Sequence, residues 1–425
     1  MRRLFARSLT AALVFAGTAS AQPSPLPPVL PGPATPPHAT PPAMPAPANP
    51  TGLPTTPGVP FDPAKVTWPT EVGGRTITSV VNDLRNTDPT VQEAALRAIQ
   101  YFGPEAARKS AMRSVIPMVE NADPGVRTNA ILLIGSIGFD NAKDFDAAVA
   151  KLSALLGNTV KGSIVRLHAT RALANLGAEA HAAIPTLCGM ADDPSWEVRA
   201  AVADALGRLG PAVYEYTTVL DGPTAMKVPK LKREASRAAM QKLSFVLIKD
   251  PSSSVRMEAC QALITLGPPH VADPKQYAAV SQPFTDAIAS RLKFEKEPVV
   301  KIWLNLLHMM YDERVFNPTL KLIEAEVHNA DVGVRLQALG ALAILGPKAL
   351  PALDAVARAL HTGDTPVQVA AIQAMVSMGE DSAKTVLPEL DRFVAETKQA
   401  DVRAYAAEAV KFLRKNKPAP VVAKP

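Results

Sequence analysis

Large and small apolar residues recur along most of this chain in a helical pattern that restarts every 33 to 57 residues. Each restart is marked by Val followed by Arg, Lys or Gln: Val91-Gln92, Val126-Arg127, Val165-Arg166, Val198-Arg199, Val255-Arg256, Val300-Lys301, Val334-Arg335, Val367-Gln368 and Val402-Arg403. Counted from each Val, Ala stands at offset four in Ala95, Ala130, Ala169, Ala259, Ala338, Ala371 and Ala406, and at offset seven in Ala98, Ala172, Ala205, Ala262, Ala341, Ala374 and Ala409. Large apolar residues fill offsets eight and eleven. Offsets 0, 4, 7, 8 and 11 share one face of a helix with about 3.6 residues per turn, and Ala at the middle of that face admits a close neighbour.

Both ends of this helix are punctuated. Asp88-Pro89, Asp123-Pro124, Asp193-Pro194 and Asp250-Pro251 precede it, where Asp can cap and Pro fits the first turn. Gly follows at offset twelve in seven of the nine copies, often with Pro next, as in Gly103-Pro104 and Gly346-Pro347. The signals predict helices over about 89–102, 124–137, 195–209, 252–266 and 332–345. A preceding helix with an early Pro is read from Ile116-Pro117-Met118, Ile184-Pro185-Thr186, Leu350-Pro351-Ala352 and Leu387-Pro388-Glu389. A mid-thirties period carrying two helices per unit predicts an all-α stack of about nine hairpins.

Two helices, an Asp-containing turn, an early Pro in the first helix and Val-Arg opening the second resemble the HEAT repeat. Within it, they resemble the bacterial HEAT-like repeats also found in phycobilin lyases. The resemblance spans roughly Trp68 to Leu413. It implies an α-solenoid of HEAT-like hairpins over 67–414 whose second helices line a concave surface, and a protein that serves mostly as a scaffold. The likeness to lyases lies in stacking residues that any such array shares.

Before the repeats, Arg2, Arg3 and Arg7 lead into the apolar run Leu9 to Ala16 and the small-x-small site Ala19-Ser20-Ala21, which reads as a signal peptide over 1–21. The expected location is therefore periplasmic or extracellular, with the general secretory and twin-arginine routes both open. From Gln22 to Pro60, 16 of 39 residues are Pro and none is charged, so 22–66 is expected to be a disordered linker. No later stretch is expected to reach the roughly 20 apolar residues of a transmembrane helix.

Charge narrows the partner class. Without the three early arginines the chain has 42 basic and 39 acidic residues, and a flexible tail over 415–425 together with Lys411 and Arg414 holds five of the basic ones. The repeats are left near −2, so nucleic acid is not an expected partner. Cys188 and Cys260 are expected as buried free thiols. The histidines, His38, His168, His181, His270, His308, His328 and His361, form no ligand pairs. No nucleophile elbow or phosphate loop appears, so no catalytic, metal or cofactor-binding residue is assigned and no cofactor is expected.

Offsets three, six and ten lie opposite the Ala and Leu face and supply the candidate partner-binding residues. Arg97, Tyr101, Arg171 and Arg208 form a row in the first four units, with His168, Asn175, Asp204, Glu258 and Gln261 nearby. The sixth unit places Trp303, Leu306 and Met310 at these offsets, with Ile344 at offset ten of the seventh. Such a group is either an interface anchor or core covered by an inserted segment, 212–231 or 269–283. The expected function is an exported, non-catalytic scaffold that binds protein or peptide along its concave face. The alternative is a cell-envelope enzyme or accessory factor of the lyase-like HEAT kind.

Overall fold

The computed structural model describes residues 67–157, 162–209, 214–218, 227–231, 235–267, 274–379 and 383–415. The signal peptide, the Pro-rich linker and the tail beyond Lys415 lie outside the described residues. The chain divides into two units, one reaching Thr319 and one starting at Leu320.

In the unit reaching Thr319, Glu71–Val72 pairs with Arg75–Thr76 around Gly73 and Gly74, whose φ values of 59° and 72° suit a tight turn without side chains. Thr76 then caps the helix Ile77–Asp83 by accepting from the Ser79 N–H. Five hairpins follow this opening helix. Their second helices, counting that of repeat 1, are Pro89–Ile99, Pro124–Ile137, Gly162–Leu176, Trp196–Arg208, Ser253–Leu266 and Pro298–Tyr311. Pro89–Ile99, Pro124–Ile137, Trp196–Arg208 and Ser253–Leu266 match their predicted windows to within three residues at each end.

Each of the first five of these second helices packs on the second helix of the next repeat. The approach is close because small residues meet there. A methyl group on Gly135 would lie 2.8 Å from the Ala172 Cα, and one on Gly207 would lie 2.7 Å from the Ala262 Cα. Trp68 seals the start of the stack by lying against Gly103, where an added carbon would fall 2.4 Å from the indole.

The four Asp-Pro pairs divide into two kinds. Asp88 and Asp123 cap their helices as expected, accepting from Thr90 and from Gly125 and Val126. Asp193 and Asp250 do not, since Ser195 and Ser252 occupy the capping position two residues later. Their carboxylates instead hold the turn, through the N–H groups of Ser195 and Ser252, and receive an arginine from the preceding repeat.

That arginine is the one beside the recurring Val. Arg166 donates from Nε and Nη2 to Asp193 at 2.7 and 3.1 Å. Arg199 does the same to Asp250 at 2.7 and 3.0 Å, and Arg256 to Glu295 at 2.8 and 2.9 Å. In Arg199 and Arg256 the third nitrogen points back into its own turn. Arg199 Nη1 donates to the carbonyls of Asp193 and Pro194, and Arg256 Nη1 to those of Asp250 and Pro251. Repeats 3 to 6 are thus tied by a relay of buried, forked ion pairs. Between repeats 1 and 2 the relay is neutral, with Asn121 donating to Gln92 at 3.0 Å.

The long interval between repeats 4 and 5 contains an antiparallel β-ribbon, Tyr214–Thr218 with Lys227–Leu231, which the helical reading did not foresee. The second helices on either side of it still pack directly together.

In the unit from Leu320, the second helices Val332–Leu345, Thr365–Met378 and Ala400–Lys415 stack in the same order. The relay is looser here. Arg335 Nη1 donates to the carbonyls of Asn329 and Ala330, and the nearest carboxylate, Asp364, is 3.9 Å away. By length and composition alone the 31-residue stretch Val332–Thr362 could cross a membrane, contrary to the expectation from sequence. Gly346, at a φ of 58°, and Pro351 break it into the second helix of one hairpin and the first of the next, and 61% of its most apolar window is buried.

Two outcomes follow. Arg256→Ala leaves buried Glu295 with Arg291 as its remaining ion-pair partner and is expected to cost about 1.5–3 kcal/mol in chemical denaturation at neutral pH. Burial alone would raise the Glu295 carboxyl, but hydrogen bonds from Arg256, Arg291 and the Glu297 N–H bring it from 4.5 down to about 2. Because the folded value is the lower one, this stabilisation is complete above pH 4.5 and is lost as pH falls toward 2. The deficit of Arg256→Ala should therefore shrink over that window, and a deficit independent of pH would show that the pair does not carry it. Separately, Ala98→Leu and Ala341→Leu should each cost about 1–3 kcal/mol by overpacking buried helix contacts. Melting temperatures unchanged by both would contradict the packing described.

Candidate functional site on the second helices

The face of the second helices opposite the Ala and Leu core is open in repeats 1 to 5 and more often buried in repeats 6 to 8. Arg97, Leu132, Arg171, Asn175 and Arg208 are exposed, and Tyr101, His168, Asp204, Glu258 and Gln261 are partly so. At the same offsets in repeats 6 to 8, Trp303, Leu306, Gln337 and Ala370 are buried.

The sixth-repeat surface expected from sequence is accordingly not available to a partner. Trp303 is 3% exposed and Leu306 0%, while Met310 is partly buried. Ile344 alone of the four is exposed, at 41%. Of the two readings the sequence left open, interface anchor or covered core, burial of Trp303 and Leu306 favours the second. The helix Pro274–Phe294, which includes part of the segment 269–283, packs on Pro298–Tyr311. The side chains of 269–281 and 283 lie outside the described residues.

The arginine row is where the sequence placed it. Arg97 pairs with Glu93 at 2.6 Å and stays 61% exposed. Arg208 pairs with Asp204 at 2.8 Å and reaches Asn175 of the neighbouring repeat at 3.5 Å, so equal offsets of adjacent repeats lie side by side. Arg171 has no hydrogen-bond or ion-pair partner among the described residues. Leu132, at offset six between Arg97 and Arg171, is 48% exposed. Sequence reasoning passed over it, although the offset count alone would have found it.

At the far end of the row stands Glu258. Burial first and Asp204 second push its carboxyl up from 4.5 to about 7, against the opposing pull of Arg208 and Arg171. His168 is pushed down by burial and then by Arg171, and its Nδ1 is buried without a hydrogen-bond partner. Repeats 3, 4 and 5 together therefore present a mixed cluster whose net charge changes near neutral pH.

Cys188 and Cys260 are free, and burial raises both thiols. Among the described residues no group of three His, Cys, Asp or Glu side chains could hold a metal ion. An open depression of about 380 Å³ lies beside Arg256, Arg291, Phe294 and Glu295, but its buried charges already satisfy one another.

Residues 77–174 and 162–220 match the HEAT repeats family. Over those residues the chain carries HEAT repeats, and the same hairpin continues beyond them in an α-solenoid of stacked helical hairpins. Similar solved structures include an engineered protein, at 17% identity over 80% of this chain and 98% of that one, with a TM-score of 0.31. Another is the complex of CpcE and CpcF of phycocyanin lyase from Nostoc sp. PCC7120, at 17% identity over 71% of this chain and 94% of that one, with a TM-score of 0.41. Likeness at this level carries no activity across. None of the curated proteins matches the chain.

Glu258 makes a pH prediction. Its folded value lies above the unfolded one, so its contribution to stability is complete below pH 4.5 and is lost as pH rises through 7. Glu258→Gln removes the ionisation penalty and should gain on the parent chain by about 1–3 kcal/mol between pH 4.5 and 8. Parallel stability curves across that range would mean that the carboxyl ionises freely.

Proposed function

We propose that this chain is an exported, non-catalytic binding platform that holds a protein or peptide along the open face of repeats 1 to 5. The observation that carries this reading is the contrast along the second helices. Exposed Arg97, Leu132 and Arg171 occupy offset six in repeats 1 to 3, the offset at which Leu306 and Gly340 are buried in repeats 6 and 7. Arginine and leucine on one face combine forked donors for carboxylates with an apolar contact. Dispersed groups on a shallow surface support binding rather than catalysis, which calls for a deep site with converging titratable groups. Export rests on the charged and apolar segments that precede Gln22 in the sequence.

A photo-crosslinking residue at position 132, in the chain beginning at Gln22, should capture discrete envelope proteins from an extract. The same residue at the exposed first-helix position Arg113 should not. Equal labelling from both positions, or none from 132, would overturn the reading.

A further inference from the structure

We propose that the offset-six row of repeats 1 to 3 reads an extended acidic segment of a partner protein, in polyproline II conformation, with an acidic residue three positions on either side of an apolar one. The inference rests on the open-face reading above and names the chemistry of its partner.

The argument is one of spacing. Arg97, Leu132 and Arg171 sit at the same offset of three consecutive helices that pack on one another. Packed helices lie about 8–10 Å apart. A polyproline II segment repeats every 3 residues with a rise of about 3.1 Å, so every third side chain returns to one face after about 9 Å. A β-strand does not offer this match, because its side chains alternate and residues three apart face opposite ways. Acid, apolar and acid side chains at three-residue spacing therefore meet Arg97, Leu132 and Arg171 in turn.

Charge sets the length. Arg171 has no ion-pair partner among the described residues, and Arg97, though paired with Glu93, is 61% exposed and has donors to spare. Asp204 and Glu258 lie beyond Arg171, so a third acid continuing the pattern would meet carboxylates. Recognition stops after about seven residues. The Pro-rich residues 22–60 of this chain hold no acidic residue and so lack the groups that this row reads.

The test is fluorescence anisotropy with the intact chain beginning at Gln22 and a labelled peptide, Glu-Pro-Ser-Leu-Pro-Ser-Glu. Replacing both Glu by Gln, or Leu by Ser, should each weaken binding at least tenfold. Arg171→Ala and Leu132→Ser should do the same in the protein, while Arg113→Ala leaves affinity unchanged. Both sites are exposed, and matched melting curves establish that the variants fold. Equal binding of the Gln peptide would point to conformation alone, and equal binding of the Ser peptide to charge alone, as for any polyanion; either result overturns the proposal. So does unchanged affinity in Arg171→Ala or Leu132→Ser, or no binding of the parent peptide. Position-specific crosslinking at 132 without this peptide preference would leave the platform reading in place and remove only the recognition rule.

Discussion

The arrangement of repeats 3 to 6 depends on largely buried arginines, two of which, Arg199 and Arg256, each serve two turns. Ala, Val and Leu bury well against one another, but apolar contact has no direction, and a stack held by it alone could slide or rotate at little cost. A guanidinium cannot be satisfied approximately. Its planar fork is met best by a carboxylate in plane, and an unmatched donor costs more once it is buried. Arg199 faces Asp250 through two nitrogens and its own turn through the third, so the register between repeats 4 and 5 is fixed by geometry rather than by area.

This explains how an insertion is tolerated. The β-ribbon Tyr214–Thr218 and Lys227–Leu231 lies in the longest interval between repeats, yet the second helices of repeats 4 and 5 still pack together. The Arg199–Asp250 pair spans that interval in sequence and closes it in space. Loop length then costs little, because closure entropy grows only logarithmically while the contacts that reward closure stay the same. The same constraint holds Arg171, Arg208 and Glu258 near enough to influence one another, although they come from three different repeats.

Much of the fold was legible because each helix face repeats one short code. Val at zero, Ala at four and seven, and large apolar residues at eight and eleven are local features that any alignment of the units exposes. The relay was equally present but needed a comparison across units. The residue after Val pairs with the one five places before the next Val, as Gln92 with Asn121, Arg166 with Asp193, Arg199 with Asp250 and Arg256 with Glu295. Reading Asp193 and Asp250 as simple caps missed it, because Ser195 and Ser252 can cap as well. Trp303 failed for a different reason. An offset says which way a side chain leaves its helix, but whether that face is covered depends on segments the repeat code does not describe.

Net charge is a poor guide to what this surface can recognise. Counting basic residues treats them as equivalent, but Arg166, Arg199 and Arg256 are consumed inside the stack by carboxylates that also count toward the total. Pairs of this kind cancel in the sum and contribute nothing at the surface. Arg97, Arg171 and Arg208 remain, all on the open face and all toward one end of the chain. Asp204 and Glu258 bound them on the far side, and Glu258 is only partly ionised near neutral pH. The field a partner meets is therefore set by which arginines the relay leaves over, and a chain close to neutral overall still presents a short, directional cationic row.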